Sequence, residues 1–310
     1  MIRLSSPQEA AAAVSGAREV EVLAYTLRRG PVLDALERAA RSGARVRIRL
    51  EGAPLADPRG ALARLNRRFA SELAACGAEV HLAGAGDPQV HAKAIVADGK
   101  LYLDNRNWGA GDLVVYDSGA DDVAGMLDAF DGRAGDAKCA RLAVEKRAAV
   151  AGEAAMLRAG ARDGDVVVES ESFGYGPVCS ALQALAADGA SPRLLVFEGE
   201  AKSSEREREA LERLAACGVR VRVCRSTEKL ALAGDRAWIG SANASPAFGK
   251  TDTLDWGLSS DDRTIVDAAR GRIEAHWAAA RPFNEGSSKA EQLAGVPVGN
   301  RFDRGNVVAE

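Results

Sequence analysis

Hydrophobic positions fall into two recurring patterns along the chain. Short runs of alternating or continuous apolar residues, at 19–25 (EVEVLAY) and 165–171 (DVVVESE), predict strands. Each leads through a Gly-Pro pair, Gly30-Pro31 or Gly176-Pro177, into a stretch of helical period that ends near Gly43 or Gly189. Second strands are predicted at 45–51 and 192–198. Long charged helices follow at 58–76 and 201–217, and the glycine after each (Gly77, Gly218) suits a left-handed cap. A short strand and a hairpin come next, and a helix over 261–279 closes the second half. The Ala-rich N-terminal stretch also reads as a helix, and a helix over 138–159 is predicted to open the second half. Strands alternating with helices predict an α/β sandwich in each half.

The two halves are copies of one pattern. The segment from Glu19 has its counterpart from Asp165, LAACGAEVHLA from Leu73 matches LAACGVRVRVC from Leu214, and HAKAIVADGKLYLDNRN from His91 matches TEKLALAGDRAWIGSAN from Thr227. The offset slides from 146 to 141 to 136, which short loop deletions accommodate. This reads as a tandem duplication, with the boundary at DGRAGD (131–136). The expected organisation is a first repeat over 1–135, a second over 136–283 and a polar, Gly-rich tail over 284–310.

Chemistry concentrates in the hairpin of each copy. The first reads His91-Ala92-Lys93, four residues, Asp98-Gly99, four residues, then Asp104-Asn105-Arg106-Asn107. The second reads Thr227-Glu228-Lys229, four residues, Gly234-Asp235, four residues, then Gly240-Ser241-Ala242-Asn243. Positions i and i+2 of a strand share a face, so His91 projects with Lys93 and Thr227 with Lys229. Asn107 and Asn243 on the return strands close over the same patch. A carboxylate follows each hairpin, Asp112 and Asp255, where it can orient an imidazole.

These motifs resemble the phospholipase D superfamily, whose signature is His-x-Lys, four residues, Asp, then Gly-Ser-x-Asn, present twice. The resemblance covers both halves, roughly residues 19–279. The first copy departs from it at Asp104-Asn105, in place of Gly-Ser. The second has Thr227 for the histidine and Gly234 at the aspartate position, and both return strands are one residue short. The resemblance implies two α/β sandwich repeats about a pseudo-twofold axis, with both motifs in one cleft, and a metal-independent phosphodiesterase that uses no cofactor. In such an enzyme one histidine forms a phosphohistidine and the other protonates the leaving group.

Carried over position by position, the resemblance makes His91 the nucleophile, with Asp112 orienting its ring. Lys93, Lys229, Asn107 and Asn243 hold the phosphate, assisted by Ser241. No histidine remains for the general acid, and the Thr227 hydroxyl does not titrate near neutrality. Glu228 projects to the opposite strand face. Glu171, aligned with Tyr25 at the end of the first strand, is the candidate acid if an apolar surround raises its pKa; the alternative for Glu171 and Glu169 is solvent or a lysine partner. Loss of one histidine therefore leaves two readings: a one-histidine phosphodiesterase, or a catalytically impaired pseudoenzyme that binds phosphate-containing ligands as a scaffold.

Composition narrows the field further. The three histidines, His81, His91 and His276, are too few and too scattered for a His-rich zinc site. His81 is given no role, and His276 reads as a half-buried helix residue. Trp108 and Trp238, beside the motifs, are read as cleft wall or as packing. Five scattered cysteines without a CxxC read as reduced, mostly buried thiols. No apolar run is long enough to span a membrane, and the N-terminus lacks a signal-peptide pattern, so a cytoplasmic protein is expected. A pI of 5.8 argues against non-specific DNA binding. The expected ligand is a phosphodiester: a lipid head group, a nucleic-acid backbone or a small diester.

Overall fold

The structure, a computed structural model, describes residues 1–55, 57, 60–133, 141–160, 164–246 and 253–283. In the first half β1 (Ile2–Ser5), α1 (Pro7–Gly16), β2 (Glu19–Ala24), α2 (Pro31–Arg41) and β3 (Arg45–Glu51) follow one another. Then come α3 (Ala61–Ala75), β4 (Glu79–Ala83), β5 (Ala94–Ala97), β6 (Lys100–Asp104), β7 (Val114–Asp117) and α4 (Ala120–Phe130). The second half runs β8 (Leu142–Ala143), α5 (Lys146–Gly160), β9 (Val166–Ser170), α6 (Pro177–Ala187) and β10 (Arg193–Phe197). It continues with α7 (Glu198–Ser203), α8 (Glu205–Ala216), β11 (Arg220–Cys224), β12 (Leu230–Ala233), β13 (Arg236–Gly240), β14 (Gly257–Ser260), α9 (Arg263–Ala279) and β15 (Arg281–Pro282).

Each half builds one mixed sheet. The first has the order β1-β7-β6-β5-β2-β3-β4, the second β15-β11-β10-β9-β12-β13-β14-β8. In both, two parallel crossovers (β2–β3–β4 and β9–β10–β11) lie beside an antiparallel meander that contains the motif hairpin, β5–β6 or β12–β13. Strand side chains alternate between two cores. Val20 and Val22 face an outer core with α1, α2 and α3, while Val166, Val168 and Val196 face one with α5, α6 and α8. Leu23, Leu103, Val167, Leu195 and Trp256 share a third core between the sheets, where α4 and α9 also pack. Both faces of the central strands are thus covered, which is why they read as continuous apolar runs.

The expected α/β architecture of two similar halves is present, and local signals explain most element ends. Pro31 and Pro177 open α2 and α6 at the first turn, where a missing N–H costs no bond. Gly30 has φ +151°, a conformation that favours glycine. The helix predicted over 201–217 is divided at Ser204. The Ser204 hydroxyl accepts the Glu207 N–H and starts α8, a serine with glutamate three residues on. The helix predicted from 138 begins at Lys146 instead, because Leu142–Ala143 pairs with β14 at the sheet edge.

The proposed repeat boundary falls partly, and the tail over 284–310 wholly, outside the described residues, as does Cys139. The other four cysteines are free: Cys179 and Cys224 are buried, Cys76 is half-buried and Cys217 exposed. No described helix is long and apolar enough to cross a membrane.

One core position conflicts with burial. The packed stripe of α5 (Ala149, Val150, Ala154, Leu157) also contains Glu153, 1% exposed and with no partner for Oε2. Burial pushes its carboxyl up to about 8. The folded protein therefore keeps a proton that the unfolded chain gives up near its ordinary carboxyl pKa, so this contribution is full at acid pH and lost as pH rises toward 8. Glu153→Gln is expected to raise stability by about 2 kcal/mol at neutral to mildly alkaline pH and to change it little near pH 4. Urea denaturation at the two pH values checks the difference.

Candidate active site at the junction of the two halves

The loops leaving β2, β9, β6 and β13 meet where the two sheets face each other. The backbone N–H groups of His91 and Ala92 both donate to the Leu254 carbonyl, at 2.8 and 2.6 Å, and Leu254 N–H returns a bond to Gln89 at 2.8 Å. Trp256, fully buried, donates its indole N–H to the Asp104 carbonyl at 3.2 Å. These bonds join the first copy's motif to the second half.

His91 Nδ1 donates to Asp255 Oδ1 at 2.7 Å. The carboxylate that orients the imidazole thus comes from the opposite half, a correction to the expectation for Asp112. Asp112 is occupied elsewhere: Oδ1 lies 2.5 Å from Arg106 Nη2, and Oδ2 accepts the N–H groups of Asn107 and Gly109 at 3.2 and 2.6 Å. Lys93 and Lys229 are buried and placed alike. Each ammonium donates to the carbonyl two residues back, Lys93 to His91 at 2.5 Å and Lys229 to Thr227 at 2.8 Å. The Tyr25 ring meets the His91 ring edge-on at 5.0 Å between centroids and lies 5.2 Å from Lys93 Nζ.

The asparagines approach the same loops. Asn107 Oδ1 accepts from Thr26 Oγ1 at 3.1 Å and Asn243 Oδ1 from the Ser172 N–H at 3.4 Å. Among the described residues neither Nδ2 group has a partner. Ser241, by contrast, is fully buried. Its hydroxyl donates to Asp255 Oδ1 at 2.8 Å and accepts the Trp256 N–H at 2.9 Å, so it braces the carboxylate and does not reach a phosphate.

No sequence-family model and no curated protein matches the chain. Solved structures do. Phosphatidylserine synthase from Haemophilus influenzae Rd KW20 superposes with a TM-score of 0.62 at 9% identity, over 92% of this chain and 88% of that one. Polyphosphate kinase from Porphyromonas gingivalis gives 0.58 at 18% identity over 87% of this chain. It covers 47% of the kinase, so this chain spans about half that protein's length. The chain has the phospholipase D-like fold.

Within the phospholipase D-like frame, electrostatics separates the roles available to each group. Burial and the Lys93 charge hold the His91 imidazole below its ordinary pKa, against the opposing pull of Asp255. Burial and the Lys229 charge bring Lys93 down to about 7. Burial alone would raise Asp255, but His91, Lys93 and Lys146 outweigh it and hold the carboxyl at about 2. The downward shift favours the neutral imidazole, with its Nδ1 proton turned to the Asp255 carboxylate and the lone pair on Nε2.

Glu171 does enter this site, bound by Lys229 at 2.7 Å. Burial pushes its pKa up, yet Lys229, with His91 and Lys93, more than offsets that and the net shift is downward. A carboxylate so held has no proton to give at neutral pH, so the condition for Glu171 as the acid is not met and the lysine-partner alternative is the one the geometry shows. Glu169 pairs with His276, at 3.0 Å from Oε2. Trp108 and Trp238 are buried core residues, and Trp238 also lines a cleft beside α5 that contains none of the motif lysines or His91. Among the described residues no cluster of three or more His, Cys, Asp or Glu is placed to hold a metal ion.

Arg106 was not singled out from the sequence. The signal was available in the repeat alignment: Arg106 aligns with Ala242, so the half that keeps its histidine carries an additional cation while the other lacks an imidazole.

Proposed function

We propose that this chain is a phospholipase D-like phosphoryl-transfer enzyme that opens a phosphodiester through a covalent phosphohistidine on His91, without a metal ion. The observation that carries the reading is the His91–Asp255 pair formed across the two halves, with Lys93 and Lys229 beside it. Nε2 attacks phosphorus, the P–O bond to the leaving group breaks, and water later releases the phosphoryl group from the ring. Lys93 and Lys229, with the Asn107 and Asn243 amides, supply fixed positive charge to the phosphoryl oxygens. Asp255 and Ser241 are positioning residues for the imidazole. The likeness to proteins named polyphosphate kinase and phosphatidylserine synthase is consistent with phosphoryl chemistry, and the ligand we propose is phosphate-containing.

The test is hydrolysis of bis(4-nitrophenyl) phosphate in EDTA, a diester whose leaving group needs no acid. Steady release of nitrophenolate is expected. No release, with inorganic phosphate or tungstate still bound, contradicts the proposal and marks a phosphate-binding scaffold.

The pH dependence has a definite sign. In the free protein kcat/KM is expected to rise as His91 loses its proton below pH 6.5, then to fall above about pH 7 as Lys93 becomes neutral. A bound phosphate anion favours the charged ammonium, so the alkaline fall in kcat is expected at higher pH than the fall in kcat/KM. Coincident alkaline limbs contradict this assignment of Lys93.

A further inference from the structure

The hydrogen bonds around the two return strands match the carboxylates of the two halves to each other. In the second half Ser241 N–H donates to the Trp256 carbonyl at 2.9 Å, and Trp256 N–H donates to Ser241 Oγ at 2.9 Å. In the first half Asn105 N–H donates to the Leu113 carbonyl at 3.3 Å, and Leu113 N–H to Asn105 Oδ1 at 3.2 Å. Leu113 is therefore the counterpart of Trp256, and Asp112 that of Asp255. Asp255 reaches across to the imidazole of the first copy. Asp112 has no imidazole to meet, because the second copy has Thr227, and its Oδ1 instead takes the Arg106 guanidinium at 2.5 Å.

Arg106 also lines a cleft of about 710 Å³ together with Arg225 and Ser226, the two residues before Thr227, and with His276 and Arg281. Arg225 is exposed and has no partner among the described residues. The acid in the cleft wall, Glu198, is engaged by Arg281 and Lys202. The cleft beside the degenerate motif thus presents cations to a ligand.

We infer that Arg106 occupies the place of the missing second histidine, as a permanent cation on Asp112, and that beyond diesters with good leaving groups the same His91 step favours a phosphoanhydride, whose leaving group is itself a phosphate. A guanidinium does not release a proton near neutrality, so it cannot protonate a departing alkoxide. An alkoxide is about as basic as hydroxide, whose conjugate acid has a pKa of about 16, whereas a phosphate oxygen takes its second proton off at a pKa of about 6. A leaving phosphate departs without an acid, and its growing charge is what a guanidinium stabilises.

The step balances without a further reactant. The Nε2 lone pair of His91 forms the N–P bond, the bridging P–O bond breaks, and its electron pair stays on the departing phosphate beside Arg106. The Nδ1 proton remains between His91 and Asp255, which offsets the charge on the ring. An oxygen of water or of an acceptor phosphate then bonds to phosphorus, the N–P pair returns to Nε2, and any proton lost by water passes to the released phosphate.

This inference rests on the phosphohistidine reading, and the experiment separates the two. The wild type, Arg106→Ala and Arg106→Lys are assayed in EDTA with inorganic tripolyphosphate, bis(4-nitrophenyl) phosphate and an unactivated dialkyl phosphate. The wild type is expected to cleave tripolyphosphate and the aryl diester, with the dialkyl ester slower than tripolyphosphate by about 10²-fold or more. Arg106→Ala is expected to lower tripolyphosphate cleavage about 10²-fold and aryl diester cleavage by less than about tenfold. Arg106→Lys, which keeps a charge on buried Asp112, falls between them and guards against a folding defect. Aryl diester cleavage without tripolyphosphate cleavage, or equal losses on both in Arg106→Ala, overturns the inference alone. Cleavage of neither substrate by the wild type removes the phosphohistidine reading and this inference with it.

Discussion

Replacing His91 with alanine is expected to lower turnover of bis(4-nitrophenyl) phosphate by about 10⁴-fold or more, the scale on which loss of a covalent nucleophile acts. No neighbouring group can take over the attack. Lys93 and Lys229 are tied to the backbone carbonyls of residues 91 and 227, and Glu171 is bound by Lys229. The substitution should leave the fold intact, since His91 is only half-buried and Asp255 keeps its bond from Ser241. Binding of tungstate should survive, because the ammonium groups and amides remain. Stopped assays for turnover and calorimetry for tungstate check the two halves of the expectation. Retained turnover would move the nucleophile to another residue.

Asp255→Asn is expected to have the next largest effect, a fall in kcat of about 10³-fold with the fold preserved. The carboxylate accepts from His91 Nδ1 at 2.7 Å and from Ser241 at 2.8 Å and is otherwise buried. As a carboxylate it can only accept, so it fixes the imidazole proton on Nδ1. An amide can instead donate to Nδ1, which moves the proton to Nε2 and removes the lone pair needed for attack. Its charge also opposes the burial that holds His91 down, so the asparagine variant should show the acidic limb of kcat/KM at still lower pH. A loss of kcat without that displacement would assign Asp255 to packing alone.

The contrast between Asp112 and Asp255 marks where the sequence stops being informative. Asp112 follows its motif asparagine by five residues and Asp255 by twelve, and a loop of either length gives its carboxylate a claim on the one His-x-Lys. Which carboxylate meets the imidazole depends on the crossing of the halves at Leu254 and Trp256, and no strand period encodes that. His91 to Lys93 and Thr227 to Lys229 precede β5 and β12 and lie outside them, so strand alternation does not position them, although the charges of both lysines act on His91. Repeat matching did bring Glu171 to the same site, but the direction of its pKa shift follows from the Lys229 contact, which a sequence does not list.

Ser241 shows a similar limit. A Gly-Ser-x-Asn pattern suits phosphate binding, yet burial of Ser241 beneath Trp256 turns its hydroxyl to Asp255. The edge strands β1 and β8 were missed because four and two residues carry too little periodicity to separate from helix. The break between α7 and α8 was legible in Ser204 and Glu207, but the surrounding charged residues sustain a helical pattern on both sides. Burial of Glu153 lay equally outside reach, since a lone glutamate on an amphipathic stripe looks solvent-facing until the helix is packed on β12–β14.

The most direct measurement is intact-mass spectrometry of the wild-type protein, acid- and base-quenched at millisecond intervals after mixing with bis(4-nitrophenyl) phosphate in EDTA. A transient adduct of one 4-nitrophenyl phosphoryl group is expected, stable to base, labile to acid and mapped by peptide sequencing to His91. Turnover without such an adduct, or an adduct that persists in His91→Ala, would contradict the account.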